Sequence, residues 1–521
     1  MDGGGSDTTV LVRHAQSRPA IQAGSPWTRR DLALALALFA LAVAVRLPYL
    51  TLVPRYTDEV RRILWSVQIG EGGFWPLAYK NGYNGPAMLY LTALALKVAP
   101  AVATPRFVAL LVSSLTVPVT YGAGRALGGR AAGTVAGLLL ATSFIPVVVF
   151  GHVVWAITFG ALAVVGAWWA TALAVRGASQ RWLVGAAFLA GLAVQSHPVA
   201  VFQLPGLALW VLAQPSAVRR PLVRALPRAA AAAALAYSPI VLYQLQAWRT
   251  SGTSALTTTR DLRAGGLLNL GAYAAGLRDM LGSLVDSLSG AGHHAGAPAV
   301  ADPVAWVVVP AVAVALVLLA VRGPRLPLCV LASAVLLQPF VIREYNFPLS
   351  ARYVGLVVPA AYLAIGLAAA EVWRIGRIPR VAAVGGIVAA MAVLSVVRIA
   401  AFYRNETANG KTNAPIIALA AACRDGFVVL DDEIGASFSA SGNVSRVLEA
   451  LLALQRTPHE KASTPAEMDE ILAERSGSAC VIVSDEHRAV MRLGKRLAPV
   501  EGQAVAAGDD GDGYGVYRWV P

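Results

Sequence analysis

The stretch Tyr56-Thr57-Asp58-Glu59-Val60-Arg61-Arg62 sets two acids beside two arginines directly after the apolar run Leu32 to Leu50. A run of that length is long enough to span a bilayer. Charge placed at the end of such a run is costly unless it has work to do there. Adjacent carboxylates with arginines one turn away suit acid/base chemistry on an anionic, lipid-linked substrate, since a nearby guanidinium keeps a carboxylate ionised or faces a phosphate. On its own the motif also reads as an ordinary surface helix start, with acids complementing the helix dipole.

Working outward, the same kind of apolar run recurs. Of the 521 residues, 57% are hydrophobic and 14% charged, against about 25% charged in an ordinary soluble protein. Runs of spanning length lie at 32–50, 106–124, 131–150, 153–175, 182–196, 198–214, 229–246, 303–321, 326–342, 351–372 and 381–402, eleven in all. This predicts an α-helical polytopic membrane protein. The net charge of +14 falls mainly on arginines between the runs, which is the pattern of topology signals and anionic headgroups rather than of nucleic-acid binding.

A twelfth stretch, 87–100, decides the orientation. Fourteen helical residues rise only about 21 Å, short of a hydrocarbon core of about 30 Å. If this stretch lies in the interface, the loops holding Arg125/Arg130, Arg176/Arg181, Arg219/Arg220/Arg224/Arg228, Arg322/Arg325 and Arg374/Arg377/Arg380 all fall on the side of Arg29 and Arg30. That side is then the cytoplasm. If the stretch crosses, the strongest arginine clusters face outward. The first arrangement predicts a cytoplasmic tail at 1–30, a transmembrane domain at 31–403 in a plasma (inner) membrane, and three outer segments. These are a first loop at 51–105 with interfacial helices, a second large loop at 247–302, and an extracytoplasmic domain at 404–521.

The last segment reads as a small α/β domain. Phe427-Val428-Val429-Leu430 and Cys480-Val481-Ile482-Val483 are short apolar runs of buried-strand type. Helices are expected at 443–457, 465–475 and 485–496, with a closing strand at 516–520. Cys423 and Cys480 can pair only if this domain folds in an oxidising compartment. Asp431-Asp432-Glu433 follows the first strand, where open α/β sheets often bind ligands, and is read first as a solvated strand-end loop.

Other candidate residues sit at the outer ends of the runs. Arg343-Glu344-Tyr345-Asn346 and Arg352-Tyr353 can grip a phosphate by charge-assisted hydrogen bonds or serve as snorkelling anchors. His152 and His197 fall on the outer face, as do Lys80 and Tyr83 in the first loop, at a suitable height for a phosphate or sugar. No zincin spacing, P-loop, dinucleotide fingerprint or nucleophile elbow is present.

In order along the chain, Arg46-Leu47-Pro48, Thr57-Asp58-Glu59-Val60-Arg61, Asn84-Gly85-Pro86-Ala87-Met88-Leu89-Tyr90, Arg106-Phe107-Val108-Ala109-Leu110-Leu111 and Tyr121-Gly122-Ala123-Gly124-Arg125 resemble the GT-C superfamily of membrane glycosyltransferases. The resembling branch holds protein O-mannosyltransferases and lipid A aminoarabinose transferases. Likeness covers about the first 200 residues well and the later spans loosely, at Ser350-Ala351-Arg352-Tyr353 and Pro359.

The resemblance implies the GT-C fold and inverting transfer of a sugar from a polyprenyl-phosphate carrier to an extracytoplasmic glycan, glycolipid or protein. It implies Asp58 as general base with Glu59 its neighbour, Arg61 near the carrier phosphate and Arg352/Tyr353 in the region that contacts it; Lys80 and Arg343, from their positions at the outer ends of the runs, are expected on the same donor-phosphate side. Tyr83, His152 and His197 are expected on the sugar or acceptor side. No cofactor and no metal are expected. Where the branch often has Lys-Pro-Pro or His-Pro-Pro, this chain has Asn84-Gly85-Pro86, which leaves donor and acceptor identity open. A transporter or flippase for a lipid-linked or anionic solute is the alternative from span count and arginines, although no two-fold internal repeat supports it. A non-catalytic scaffold binding cell-wall material is a further one.

Overall fold

The computed structural model describes residues 27–50, 52, 57–79, 82–252, 269–290, 305–342, 353–374, 378–408, 412, 414–424, 426–432, 444–500 and 514–521. Lys80, Arg343 and Arg352 lie outside the described residues, as does the side chain of Asp58.

Sixteen helices precede the C-terminal domain among these residues: α1 Arg29–Arg46, α2 Thr57–Glu71, α3 Ala87–Val98, α4 Thr104–Gly128, α5 Arg130–Thr142, α6 Phe144–Val148, α7 Ala156–Gly177, α8 Gln180–Ser196, α9 Leu204–Leu212, α10 Ser216–Arg224, α11 Leu226–Ser251, α12 Leu270–Ser289, α13 Ala305–Arg322, α14 Leu326–Leu337, α15 Val358–Arg374 and α16 Ile378–Ala408. Each of the eleven apolar runs holds helix. Among the described residues six helical segments are long and apolar enough to cross a membrane unaided: Arg29–Tyr49, α4, α7, α11, α13 and Val381–Ala408. The chain is an integral membrane protein.

Local chemistry explains the breaks. The run 131–150 is not one helix but α5 and α6, because Ser143 takes extended backbone and Pro146 cannot donate to the preceding turn. Gly129, at φ +89°, turns α4 into α5 with a backbone few other residues adopt. His197 and Pro198 end α8 and start a 3₁₀ segment, Pro198–Gln203, before α9.

At the end of the bundle that holds the start of α1, Asp31 is fully buried. Its carboxylate accepts from Arg125 Nη2 and Arg130 Nε at 3.0 and 2.8 Å and from the Tyr121 hydroxyl at 3.0 Å, and it completes a capping box with Thr28. This cluster locks α1 to the α4–α5 junction. At the other end, α2 and α3 pack on each other around Ile69, Tyr79, Leu89 and Ala93.

The C-terminal domain comprises α17 Ala414–Ala422, β1 Phe427–Asp431, α18 Val444–Gln455, β2 His459–Ala462, α19 Pro465–Ala473, β3 Ala479–Ser484, α20 Asp485–Val490, β4 Leu497–Pro499 and β5 Tyr514–Trp519. Its five-stranded sheet has the order β2-β1-β3-β5-β4. The first three strands are parallel, with Val429 opposite Val481, and β5 runs antiparallel to β3 and β4. Central β1 and β3 are covered on both faces, which is why they read as unbroken apolar runs.

Two strands were not anticipated: polar β2, with Lys461 on a sheet edge, and three-residue β4. Edge strands of this kind carry charge and stay short, so they leave no apolar period. The helix expected at 485–496 stops at Val490 and resumes only as a 3₁₀ turn, Gly494–Arg496. A disulfide joins Cys423 to Cys480, tying the end of α17 to β3. Helix α18 lies on α2, with Val447, Leu451 and Leu454 against Val60 and Ile63. The domain therefore sits on the same end of the bundle as the acid-bearing helix.

Candidate active site

Acids in the first turn of α2 complement the helix dipole, and Thr57-Asp58-Glu59 forms that turn. The two acids have different surroundings in the chain. Glu59 is 1% exposed. Arg106, in the first turn of α4, donates to it through Nε to Oε1 at 3.1 Å and Nη2 to Oε2 at 2.8 Å. The backbone N–H of Val154 donates to Oε1 at 3.2 Å, and Arg106 Nη1 donates to the Leu50 carbonyl at 3.2 Å. One carboxylate thus fastens α2 to α4, to the entry of α7 and, through Arg106, to the end of the first span. A bidentate guanidinium–carboxylate pair of this kind fixes geometry as well as charge.

Along α2, Arg61 is half-buried, and the Arg62 guanidinium lies 4.7 Å from the Tyr79 ring. Tyr79 opens the first-loop turn, where its N–H donates to the Asn84 carbonyl at 2.7 Å. Two glutamines stitch this turn to the bundle. The Gln244 side-chain amide of α11 donates to the Gly82 carbonyl at 2.6 Å. The Gly85 N–H donates to the Gln195 carbonyl of α8 at 2.6 Å. A Cβ on Gly85 would lie 2.4 Å from Gln195 Cγ, so only glycine permits this approach. Half-buried Tyr83 sits between these two anchors.

Two residues after Gln195 comes His197. Its Nδ1 accepts from the Val199 N–H at 3.3 Å, and its ring lies 5.7 Å from the Tyr353 ring. The Tyr353 carbonyl accepts from the Gln338 amide at 3.2 Å, and the Leu356 carbonyl accepts from Gln203 at 3.2 Å. Helix α12 covers this region: Met280 is buried beside Val354, and Tyr273 packs on Phe340 at 4.3 Å. The first-loop turn, the end of α8 and the segment leading into α15 therefore meet around Gln195–His197. They bring His197 and Tyr353 together, with the turn that carries Tyr83 bonded to the end of α8 two residues before His197.

His152 belongs to a second cluster. The Arg46 carbonyl can only accept, so His152 Nε2 carries the proton and donates to it at 2.7 Å, while Nδ1 accepts from the Tyr403 hydroxyl. Tyr403 stacks on Tyr49 at 4.4 Å. The Arg46 guanidinium is itself buried and donates to the carbonyls of Ala42, Ala141 and Pro146 and to Ser113. Both nitrogens of His152 are thus engaged within the protein. Among the described residues no group of three or more His, Cys, Asp or Glu side chains is placed to hold a metal.

Residues 84–243 match the family model described as dolichyl-phosphate-mannose-protein mannosyltransferase. In fold, the chain aligns over 94% of its length with 97% of ArnT from Cupriavidus metallidurans bound to undecaprenyl phosphate, at a TM-score of 0.59 and 13% identity. It aligns over 87% of its length with 69% of the archaeal oligosaccharyltransferase AglB from Archaeoglobus fulgidus, in complex with an inhibitory peptide and a dolichol-phosphate, at a TM-score of 0.50 and 13% identity. The chain has the GT-C fold. No curated protein matches it by sequence.

Within this fold, the residues that hold the site together are mostly ones to which the sequence assigns no role. Arg106 looks like one more arginine at the end of an apolar run. Gln195, Gln203, Gln244 and Gln338 are uncharged and sit at or near ends of apolar helices. The available signal was their chemistry: a buried amide at the end of a membrane helix needs partners and marks where backbone from another segment arrives.

Proposed function

We propose that this GT-C protein transfers a sugar from a polyprenyl-phosphate carrier to an extracytoplasmic acceptor with inversion at the anomeric carbon. Asp58 takes the proton of the acceptor hydroxyl as that oxygen attacks the anomeric carbon. The sugar–phosphate C–O bond breaks, and its electron pair leaves on the carrier phosphate. Arg61, Lys80, Arg343, Arg352 and Tyr353 stand on the phosphate side, where guanidinium and ammonium groups stabilise the developing charge. Tyr83 and His197 stand on the sugar or acceptor side. Glu59 and His152 act as positioning residues, since their polar atoms are engaged by Arg106, Val154, Arg46 and Tyr403.

The observation that carries the reading is the meeting of the first-loop turn, His197 and Tyr353 at the same end of the bundle as α2. The polyprenyl phosphates bound to ArnT and AglB support a lipid-linked donor. The Cys423–Cys480 disulfide supports placing the C-terminal domain outside the cytoplasm. With Glu59 paired to Arg106, the Asp58-Glu59 doublet is not free to act as a two-carboxylate metal site, so the reaction is read as metal-independent. The acceptor in this reading is a cell-envelope glycan, a glycolipid or a protein.

The test is transfer by purified protein from polyprenyl-phosphate sugars. Asp58→Asn removes the base while keeping shape, and turnover falls at least about a hundredfold with an unchanged melting temperature. Retained turnover in that variant removes Asp58 from the mechanism.

A further inference from the structure

At the end of the bundle opposite the C-terminal domain, an open cavity of about 640 Å³ lies between the starts of α8 and α11. It is lined by Ser179, Gln180, Arg181, Val184 and Arg228. Both arginines are exposed, and among the described residues neither has an ion-pair or hydrogen-bond partner. The lining contains no carboxylate. Ser179, the N-cap residue of α8, makes no side-chain cap bond, so the first-turn N–H groups of α8 have no side-chain acceptor there.

The neighbouring helix α10 runs into α11 and has one apolar side, with Leu222 fully buried, while Arg219, Arg220 and Arg224 are exposed. Such a helix lies along a membrane surface with its cations at headgroup level. Two unneutralised guanidinium groups beside uncapped helix N–H groups form an anion site of phosphate type. Its height, level with a surface helix and between two membrane helices, selects a lipid over a soluble ion.

We propose that this cavity binds the phosphodiester headgroup of an anionic phospholipid from the leaflet opposite the C-terminal domain. Arg181 and Arg228 clamp the phosphate from two helices. The bound lipid then fixes the spacing of α8 and α11, the same two helices whose far ends hold the first-loop turn through Gln195 and Gln244.

The experiment is native mass spectrometry of the purified full chain titrated with phosphatidylglycerol, and in parallel with phosphatidylcholine. The parent retains one tightly held phosphatidylglycerol and no phosphatidylcholine. At about fivefold in affinity per arginine near an anionic surface, the paired substitution Arg181→Gln/Arg228→Gln weakens retention about thirtyfold. The control pair Arg322→Gln/Arg325→Gln removes the same charge outside the cavity and changes retention less than about twofold.

Melting temperatures in phosphatidylcholine nanodiscs stay equal among the three proteins, because all four side chains are solvent-facing or half-exposed. Equal retention of the two lipids by the parent, or equal losses in both paired variants, overturns the site in favour of general surface charge. Millimolar inorganic phosphate displacing the lipid and raising the melting temperature as much would reassign the cavity to a soluble anion and overturn the lipid assignment.

Discussion

Replacing Arg106 by methionine keeps the aliphatic bulk at the start of α4 and removes three donors. Two of them are charge-assisted bonds to Glu59, at 2.8 and 3.1 Å, and the third holds the Leu50 carbonyl. Glu59 is then a carboxylate with 2% side-chain exposure and, among the described residues, a single remaining donor, the Val154 N–H. Breaking a buried pair from one side costs about 3–5 kcal/mol, because the surviving charge stays buried. For a chain of this size that lowers the melting temperature by on the order of 5 °C. Since Glu59 adjoins Asp58 on one helical turn, the loosened turn also displaces the proposed base. A misplacement of about 1 Å costs about a hundredfold in rate, so kcat falls more than donor KM changes. Pairing Arg106→Met with Glu59→Gln discharges the leftover carboxylate and restores most of the stability but not the rate. Differential scanning fluorimetry in detergent and donor-dependent transfer measure both effects. Arg106→Met with parental melting temperature and kcat, or a double variant as unstable as the sum of the singles, refutes the clamp.

Gly85→Ala places a methyl group against Gln195, whose side chain is pinned by its bond to the Ala236 carbonyl at 2.8 Å; transfer falls about tenfold or more by the logic of misplaced groups, and adding Gln195→Ala recovers it. Reducing the Cys423–Cys480 bridge, which closes a sequence separation of 57 residues, destabilises the C-terminal domain by about 4 kcal/mol; limited proteolysis with and without reductant then shows earlier cleavage within 414–500. Asp31→Ala removes the buried carboxylate that holds Arg125 and Arg130 at the far end of the bundle and lowers the melting temperature by several degrees, on the order expected for a broken buried pair; kcat of the folded fraction at low temperature stays within about twofold, since among the described residues no site residue touches that cluster.

The fold was legible where burial leaves a period or a run. Each apolar run holds helix, and the short stretch before Pro100 forms the separate helix α3, as its length requires. Strands β1 and β3 declared themselves because both of their faces are covered. Edge strands β2 and β4 did not, since a strand with one free side can be polar or three residues long. The break at Ser143 was hidden inside an apolar run because hydropathy does not register a lost backbone donor at Pro146. In the site, the nominated aromatic and imidazole groups His197 and Tyr353 do meet. The partner of Glu59 was not legible, because an arginine 47 positions away at the end of an apolar run has the same appearance as a topology signal. Pairings across that distance are set by how α2 lies on α4, which no local pattern encodes.

The two neighbouring acids illustrate how the fold divides what the sequence presents as a unit. Glu59 is held by Arg106 and by the Val154 N–H. Val154 lies two residues beyond His152, which is fixed by the Arg46 carbonyl and the Tyr403 hydroxyl. Tyr403 is near the end of α16, the helix that leads into the C-terminal domain, and the domain returns to press α18 onto α2. The acid-bearing turn is therefore gripped from two directions by the same domain, through its stem and through its packing face. A buried network of this kind is rigid only while every member is satisfied. Its effect on Asp58 is to remove freedom from the backbone that carries it, so under the proposed chemistry the C-terminal domain acts as a clamp on the base.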